Sequence, residues 1–228
     1  MRVAVVGAQC VGKTTLVNTF KSYWPMYKSP EKTYRELIKE KNLSLNEGGN
    51  LHSQTLIRDA LADLALSNAG KSQTIHDRCV LDNLAYTFWL TEHNKFTENE
   101  KDINDFITQS ILISKECLKF YDIIFWLPIN PNIPIEESEN RSSDEIFREE
   151  IDNIFYGIHD SYKKNAGVIF DKEDQPAFIV LEGDLDQKIS HIKEYIGSDG
   201  NLIETSSSVL GDLENVYDEL ALRGQLKV

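Results

Sequence analysis

The sequence predicts an α/β fold of three layers, in which helices cover both faces of a central parallel sheet of about five strands. Two observations predict it. Short apolar runs alternate with longer segments of helical periodicity along most of the 228 residues. In addition, the first apolar run, residues 2–6, passes directly into the loop GAQCVGKT and then into a helical segment. Strands that alternate with helices pair in parallel, because each helix returns the chain to the same edge of the sheet.

Five stretches are predicted as strands. Residues 2–6 and 122–127 (DIIFWL) are apolar at consecutive positions after a charged first residue, which is typical of strands buried on both faces. Residues 72–77 (SQTIHD) are predicted as a second buried strand and residues 177–181 as a final apolar strand, and residues 26–29 give a weaker extended signal. The sheet of about five strands rests on these stretches.

The helices are predicted from apolar periodicity and from their ends. Pro30 opens a charged helical segment, and Gly70 lies where the cap of a long amphipathic helix is expected. The acidic residues 97–105 are predicted as loop. Helices are predicted from residue 13 onward and over residues 31–41, 51–65, 81–92, 103–120, 142–164 and 185–196.

Composition narrows the classes of function. The formal net charge of −13 disfavours extensive nucleic-acid contact, since phosphates are neutralised by Lys and Arg. Three widely spaced cysteines suggest neither a disulfide framework nor a structural metal, so a cytoplasmic protein is expected. The longest apolar runs are far shorter than a membrane span, and a targeting segment is not expected.

The loop carries the spacing G-x-x-x-x-G-K-[ST], in which backbone N–H groups and the following helix N-terminus hold phosphate oxygens. Lys13 is predicted to reach the β and γ phosphates, and Thr14 to ligate Mg²⁺. The cofactors predicted are therefore ATP and Mg²⁺. The predicted nucleotide-binding residues are Gly7, Ala8, Gln9, Cys10, Val11, Gly12, Lys13, Thr14 and Thr15.

Two common classes of phosphate-binding protein do not fit. A regulatory GTPase needs D-x-x-G and N-K-x-D, but no Asp here has Gly three residues later, and the Asn94-Lys95 pair lacks the final Asp. A ring-forming ATPase needs four apolar residues before Asp-Glu, and neither Asp-Glu pair has that context. Neither class is therefore expected.

The run DRCVLDNLAY, residues 77–86, resembles the Asp/Glu-Arg signature of P-loop nucleoside kinases, including ribosylnicotinamide-kinase-like and small AAA-type nucleotide kinases. The resemblance implies that Asp77 acts near Mg²⁺ or near the acceptor hydroxyl, and that Arg78 holds a phosphate. A plain ion pair at the end of a strand is the alternative for both residues. The order of motifs extends this resemblance over residues 1–197, which form the predicted kinase-like domain.

Further segments resemble other parts of these kinases. SPEKTYREL, residues 29–37, is similar to their E-x-x-x-R segment, which would turn Glu31 or Arg35 toward the acceptor. Glu31 is thereby a second candidate, beside Asp77, for the carboxylate that orients the attacking hydroxyl. Its alternative is a stabilising charge at a helix N-terminus.

Residues 128–155 resemble the lid of nucleotide kinases, and the lid is predicted over about residues 129–165. There Arg141 and Arg148 would close over the transferred phosphoryl group, unless they belong to a solvated salt-bridge face. Residues 48–61 occupy the place where the related kinases have their acceptor-binding groups. The resemblance implies that Gln54 bonds a base and that Arg58 receives a phosphate, and an exposed helix face is the alternative.

The sequence therefore predicts an ATP- and Mg²⁺-dependent kinase for a nucleoside, nucleotide or related small metabolite. Two alternatives stay open: a P-loop ATPase that couples hydrolysis to a protein or nucleic-acid partner, and a kinase for a modified base in DNA. No membrane partner is expected, and a homodimer stays possible. Residues 198–228 are predicted as a separate polar, helical tail.

Overall fold

The computed structural model describes residues 1–30, 36, 46–67, 69–131 and 145–203. In this part of the chain four strands form one sheet, β1 (Arg2–Val6), β2 (Thr74–Asp77), β3 (Ile123–Trp126) and β4 (Ala177–Val180). All neighbouring pairs are parallel, and the strand order is β2-β1-β3-β4. The predicted α/β fold with a central parallel sheet is confirmed.

The register of the sheet places three chain segments at one edge. Val5 of β1 lies opposite Asp77 of β2, and Val6 lies opposite Trp126 of β3. The loop that follows β1 therefore lies between the ends of β2 and β3. In open parallel sheets this carboxyl edge is the place where ligands bind.

Residues 26–29 do not form the full strand that the sequence predicts. Only Lys28 bridges to β2, where it pairs in parallel with Thr74. Lys28 donates its N–H to Gln73 and accepts from Ile75, both at 2.9 Å. Pro30 has no N–H, so the ladder cannot extend by another donor. The described sheet therefore has four strands and one bridging residue.

Six α-helices cover the sheet within the described residues. Residues Val3–Val6 and Ile123–Trp126 are buried at every position, which shows that both faces of the central strands are covered. The helices are α1 (Lys13–Tyr23), α2 (Leu51–Ser67), α3 (Val80–Glu92), α4 (Glu100–Leu118), α5 (Glu145–Lys163) and α6 (Leu185–Ile192). A short 3₁₀ turn, Asn46–Gly48, precedes α2. The helix predicted over residues 31–41 lies outside the described residues, apart from residue 36.

Helix α4 begins earlier than the sequence predicts, inside the stretch that reads as acidic loop. The side chain of Asn99 accepts a hydrogen bond from the N–H of Asp102 at 3.0 Å and so caps the helix. The acids Glu100 and Asp102 stand in its first turn, where the helix dipole favours negative charge. The acidity of this stretch thus stabilises a helix N-terminus.

Helix α5 fills the described part of the predicted lid. Its residues Phe147, Ile151 and Phe155 are buried, and the ring of Phe155 stacks on that of Trp126 in β3. The helix also packs against α3. The predicted lid range thus contains a helix that belongs to the core, whereas residues 132–144 lie outside the described residues.

Residues after α6 pack against the end of α1. The indole of Trp24 donates to the carbonyl of Gly197 at 2.7 Å, and the hydroxyl of Tyr27 donates to that of Gly200 at 2.7 Å. The first residues of the predicted tail, 198–203, therefore contact the body, and residues 204–228 lie outside the described residues. None of the described helices is long and apolar enough to cross a membrane.

Candidate active site

The loop between β1 and α1 depends on backbone conformations that glycine adopts easily. Gly7 has φ of +142°, and a Cβ there would lie 2.5 Å from the carbonyl oxygen of Leu127. Gly12, next to α1, has φ of +88°. Cys10 also lies in the left-handed region, with φ of +60°, which is uncommon for a residue with a side chain. These conformations place the loop at the N-terminus of α1, where phosphate is favoured.

The side chain of Lys13 folds back on this loop. Its Nζ donates to the carbonyl oxygens of Gly7 at 2.6 Å and Ala8 at 2.5 Å. Burial lowers the pKa of Lys13 to about 7, and the Arg78 guanidinium also lowers it, whereas the Asp82 carboxylate raises it. Phosphate oxygens would give this buried ammonium the negative partners that it needs. The loop and Lys13 thus fit the phosphate chain of a nucleotide.

Thr14 and Asp77 meet across the sheet edge. Thr14 Oγ1 donates to Asp77 Oδ2 at 2.5 Å. Asp77 ends β2, and Thr14 stands in the first turn of α1, so the strand register brings them together. Mg²⁺ takes few protein ligands, usually hydroxyl or carboxylate oxygens, and keeps waters and phosphate oxygens as the rest. The two predicted metal ligands therefore form a pair that fits Mg²⁺ beside the phosphate loop.

Arg78 follows Asp77 in a conformation that is rare for a residue with a side chain. Its φ is +88°, and its N–H donates to Val5 of β1 at 3.0 Å. Its Nη1 donates to Asp82 Oδ1 at 2.9 Å, and Asp82 Oδ2 accepts from the N–H of Cys79 at 3.1 Å. Burial raises the pKa of Asp82, while the Arg78 guanidinium opposes that rise. The turn from β2 into α3 thus brings Arg78 to the loop.

Gln9 connects the loop to two helices. Its carbonyl oxygen accepts from Nε of Arg148 in α5 at 3.1 Å. Its side-chain Oε1 accepts from the hydroxyl of Tyr86 in α3 at 2.5 Å. Arg148 is buried, with 6% of its surface exposed. The structure therefore places Arg148 directly against the phosphate loop.

The two predicted acceptor-binding residues of α2 are buried. Gln54 accepts through Oε1 from Nδ2 of Asn83 at 2.7 Å, which attaches α2 to α3 one residue after Asp82. Arg58 lies one turn further along α2 and makes a different set of contacts. Neither residue stands on an exposed face, which was the alternative reading of the sequence.

The guanidinium group of Arg58 lies between α2 and α4. It bonds Asp59 at 2.8 Å and donates to Ser110 at 3.3 Å. It also lies over the ring of Phe106, 5.1 Å from the centroid. Arg58 therefore helps to pack α2 against α4.

The structure thus brings five of the predicted residues to the loop: Lys13, Thr14, Asp77, Arg78 and Arg148. Thr15 faces solvent on α1, and Val11 is buried. The predicted Glu31, Arg35 and Arg141 lie outside the described residues.

Sequence reasoning missed two members of this site. Asp82 was not assigned a role, although its position four residues after Arg78 on a helix start is the spacing of a helical ion pair. Tyr86 has no role in the sequence analysis either, because no local signal shows that its hydroxyl reaches Gln9.

Comparisons with known proteins agree with this architecture. The family model described as an AAA domain (AAA_28) matches residues 2–169. A search of curated proteins found no match. Deoxyadenosine kinase from M. mycoides with dCMP superposes with a TM-score of 0.59 at 20% identity, over 85% of this chain and 97% of that one.

Two further solved structures are similar. Thymidylate kinase from Candida albicans gives a TM-score of 0.61 at 17% identity, over 89% of this chain and 94% of that one. NadR in complex with NR gives 0.60 at 14% identity, over 90% of this chain and 53% of that one. At these identities the likeness shows the fold, which is that of P-loop nucleoside and nucleotide kinases. The family match covers most of the chain, and the chain therefore belongs to the AAA_28 family of AAA domains.

Proposed function

We propose that this protein is an ATP- and Mg²⁺-dependent kinase that transfers a phosphoryl group to a nucleoside, a nucleotide or a related small metabolite. The observation that carries the proposal is the hydrogen bond of 2.5 Å between Thr14 and Asp77, directly beside Lys13. A hydroxyl, a carboxylate and an ammonium at the end of a phosphate loop are the groups that phosphoryl transfer needs.

Each residue has a distinct part in the transfer. Lys13 exchanges its contacts with Gly7 and Ala8 for contacts with phosphate oxygens. Thr14 and Asp77 would hold Mg²⁺, which, when bound, neutralises charge on the phosphate oxygens. Arg148 approaches the loop from α5 and places positive charge against the transferred group.

The transfer forms a bond between the acceptor oxygen and the γ-phosphorus, while the bond from that phosphorus to the bridging oxygen of ADP breaks. The proton of the acceptor hydroxyl passes to a carboxylate, and Asp77 and Glu31 are the candidates. Arg78, fixed by Asp82, stands where it can hold a phosphate. Because most of this catalysis is positioning and neutralisation of charge, a small set of fixed groups suffices.

The acceptor class rests on the neighbours and on the surroundings of α2. Deoxyadenosine kinase, thymidylate kinase and the NR complex of NadR all carry the same fold. The Gln54 amide, held by Asn83 at 2.7 Å, offers a group of the kind that recognises a base. A nucleoside or nucleotide is therefore the acceptor to test first.

The test is ATP turnover with a panel of nucleosides and nucleotides, with each product identified by mass spectrometry. The proposal expects a phosphorylated acceptor, and turnover that needs both the acceptor and Mg²⁺. Lys13→Met is the matched control, because it keeps most of the side chain while removing the ammonium. Hydrolysis that is independent of any small acceptor and yields no phosphorylated product would contradict the proposal. Stimulation by a protein or by DNA would then favour one of the alternatives.

A further inference from the structure

Asp82 is a buried carboxylate at the centre of the site, with 2% of its surface exposed. It stands in the first turn of α3, whose N-cap position is Cys79. One oxygen, Oδ2, accepts from the N–H of Cys79 at 3.1 Å. The other, Oδ1, lies 2.9 Å from Nη1 of Arg78 and 3.9 Å from Nζ of Lys13. The two oxygens thus have separate tasks.

Capping alone does not account for this arrangement. Asp102 occupies the same position in the first turn of α4, and it is exposed and bonds only to Asn99 among the described contacts. A helix N-terminus is therefore stabilised in this chain without burying the acid. Removing a carboxylate from water costs free energy, so its burial beside two cations requires those cations as partners.

Arg78 and Lys13 also need a common partner. Both are cations at one phosphate loop, and each lies within 3.9 Å of Asp82 Oδ1, so their like charges repel each other. Arg78 in addition holds a left-handed backbone, φ +88°, that its surroundings must stabilise. Asp82 Oδ1 contacts both side chains and supplies the negative charge between them.

We propose that Asp82 is a positioning residue, which orients Arg78 and Lys13 toward the terminal phosphate of the bound nucleotide. The inference rests on the proposed nucleotide site and extends it to a residue that touches no substrate. Arg78 and Lys13 act on the phosphates, and Asp82 acts through them. Its effect is therefore largest at the γ-phosphate, which distinguishes ATP from ADP.

The test compares the affinities of Asp82→Asn for ATP and for ADP by isothermal titration calorimetry, with thermal unfolding as a check of folding. Asparagine keeps the side-chain volume and one oxygen that can accept the N–H of Cys79, and it removes the negative charge. We expect the preference for ATP over ADP to shrink roughly tenfold, with a smaller loss of ADP affinity because Lys13 also reaches the β-phosphate. The matched control is Asp102→Asn, which makes the same change at the same helix position away from the site and should keep the wild-type preference.

Two results would overturn the inference. An unchanged preference for ATP in folded Asp82→Asn would leave only the capping role. Tighter binding of both ATP and ADP by Asp82→Asn would show that the Asp82 carboxylate only reduces the positive charge at the loop and orients neither cation. If Asp82→Asn does not fold, the pair Asp82→Glu and Asp82→Gln decides in the same way, since only the glutamate keeps the charge and should keep more of the ATP preference.

These readouts separate the inference from the proposed function. Phosphorylation of an acceptor by the wild-type protein tests the function, whereas the ratio of ATP to ADP affinity tests Asp82 and needs no acceptor. A wild-type protein that binds ATP without transferring its phosphate would refute the kinase proposal and leave the test of Asp82 intact. A wild-type protein with no preference for ATP would refute the inference itself.

Discussion

The hydroxyl of Thr14 donates a hydrogen bond of 2.5 Å to the carboxylate of Asp77, although the two residues are 63 positions apart in the chain. One stands at the start of α1 and the other at the end of β2. Their contact exists because β1 and β2 are paired in register, with Val5 opposite Asp77. The candidate metal pair is thus a product of strand pairing.

Asp77→Asn should lower kcat about a hundredfold at saturating Mg²⁺, because an amide is a weak ligand for Mg²⁺ and cannot accept the acceptor proton. ATP binding should be largely retained, since Lys13 and the loop remain. The measurement is kcat against Mg²⁺ concentration, together with ATP affinity. Asp63→Asn, on the exposed face of α2, is the control and should behave as the wild type. An unchanged kcat in Asp77→Asn would refute its assignment.

Gly7→Ala should prevent nucleotide binding and destabilise the fold. The new Cβ would lie 2.5 Å from the carbonyl oxygen of Leu127, in a backbone with φ of +142°. Either the loop or the end of β3 must then move. Gly157→Ala is a matched control in α5, where a Cβ meets nothing within 4 Å. It should raise the free energy of unfolding by roughly 0.5–1 kcal/mol, because alanine favours a helix.

The free energy of unfolding of the wild type should rise relative to Lys13→Met between pH 7.5 and 9.5. Burial lowers the pKa of Lys13 to about 7 in the folded protein, well below its unfolded value of 10.5. In this window the unfolded chain binds more protons, so stability increases with pH, by up to about 1 kcal/mol per pH unit. Urea unfolding at several pH values measures the difference. Parallel curves would contradict a buried, easily deprotonated Lys13.

Arg58→Met should destabilise the protein by about 1–3 kcal/mol, because it removes the bonds to Asp59 and Ser110 and leaves the buried Ser110 hydroxyl with one partner fewer. The resemblance of the sequence implies a different role for Arg58, which is contact with a phosphate of the acceptor. The KM for a nucleotide acceptor measures that role. We expect this KM to change less than roughly threefold in the folded variant. A large rise in KM without loss of stability would instead favour acceptor contact. Ser110→Ala is the control, since it weakens the same contact from the α4 side.

The sequence alone predicts those parts of the site whose residues are close in the chain or follow a strand. The loop, Lys13 and Thr14 come from one motif, and Asp77 comes from the end of a recognisable strand. Asp82 was missed because an acid in the first turn of a helix is ordinary, and only the fold shows that it faces Lys13. The sequence implies a site role for Arg58, whereas the structure shows it in helix packing. That contact could not be predicted, because its partner Ser110 lies 52 positions away.

The errors in the fold predicted from the sequence have similar causes. The weak extended signal of residues 26–29 corresponds to a single bridge at Lys28, because Pro30 has no N–H to extend the ladder. Residues 97–105 look like loop because they are acidic, whereas the cap formed by Asn99 turns that acidity into a helix start. Composition does not distinguish these cases, because the deciding contact is a single hydrogen bond.

The contacts of Trp24 and Tyr27 with Gly197 and Gly200 bear on how the chain folds. Each hydrogen bond spans 173 positions, among the largest separations that a chain of this size offers. Closing so long a loop costs conformational entropy before any contact stabilises it. These two hydrogen bonds should therefore be among the last contacts to form. During synthesis the end of α1 must wait for Gly200 to emerge. Until then the phosphate loop is attached to a helix whose far end is not yet fixed.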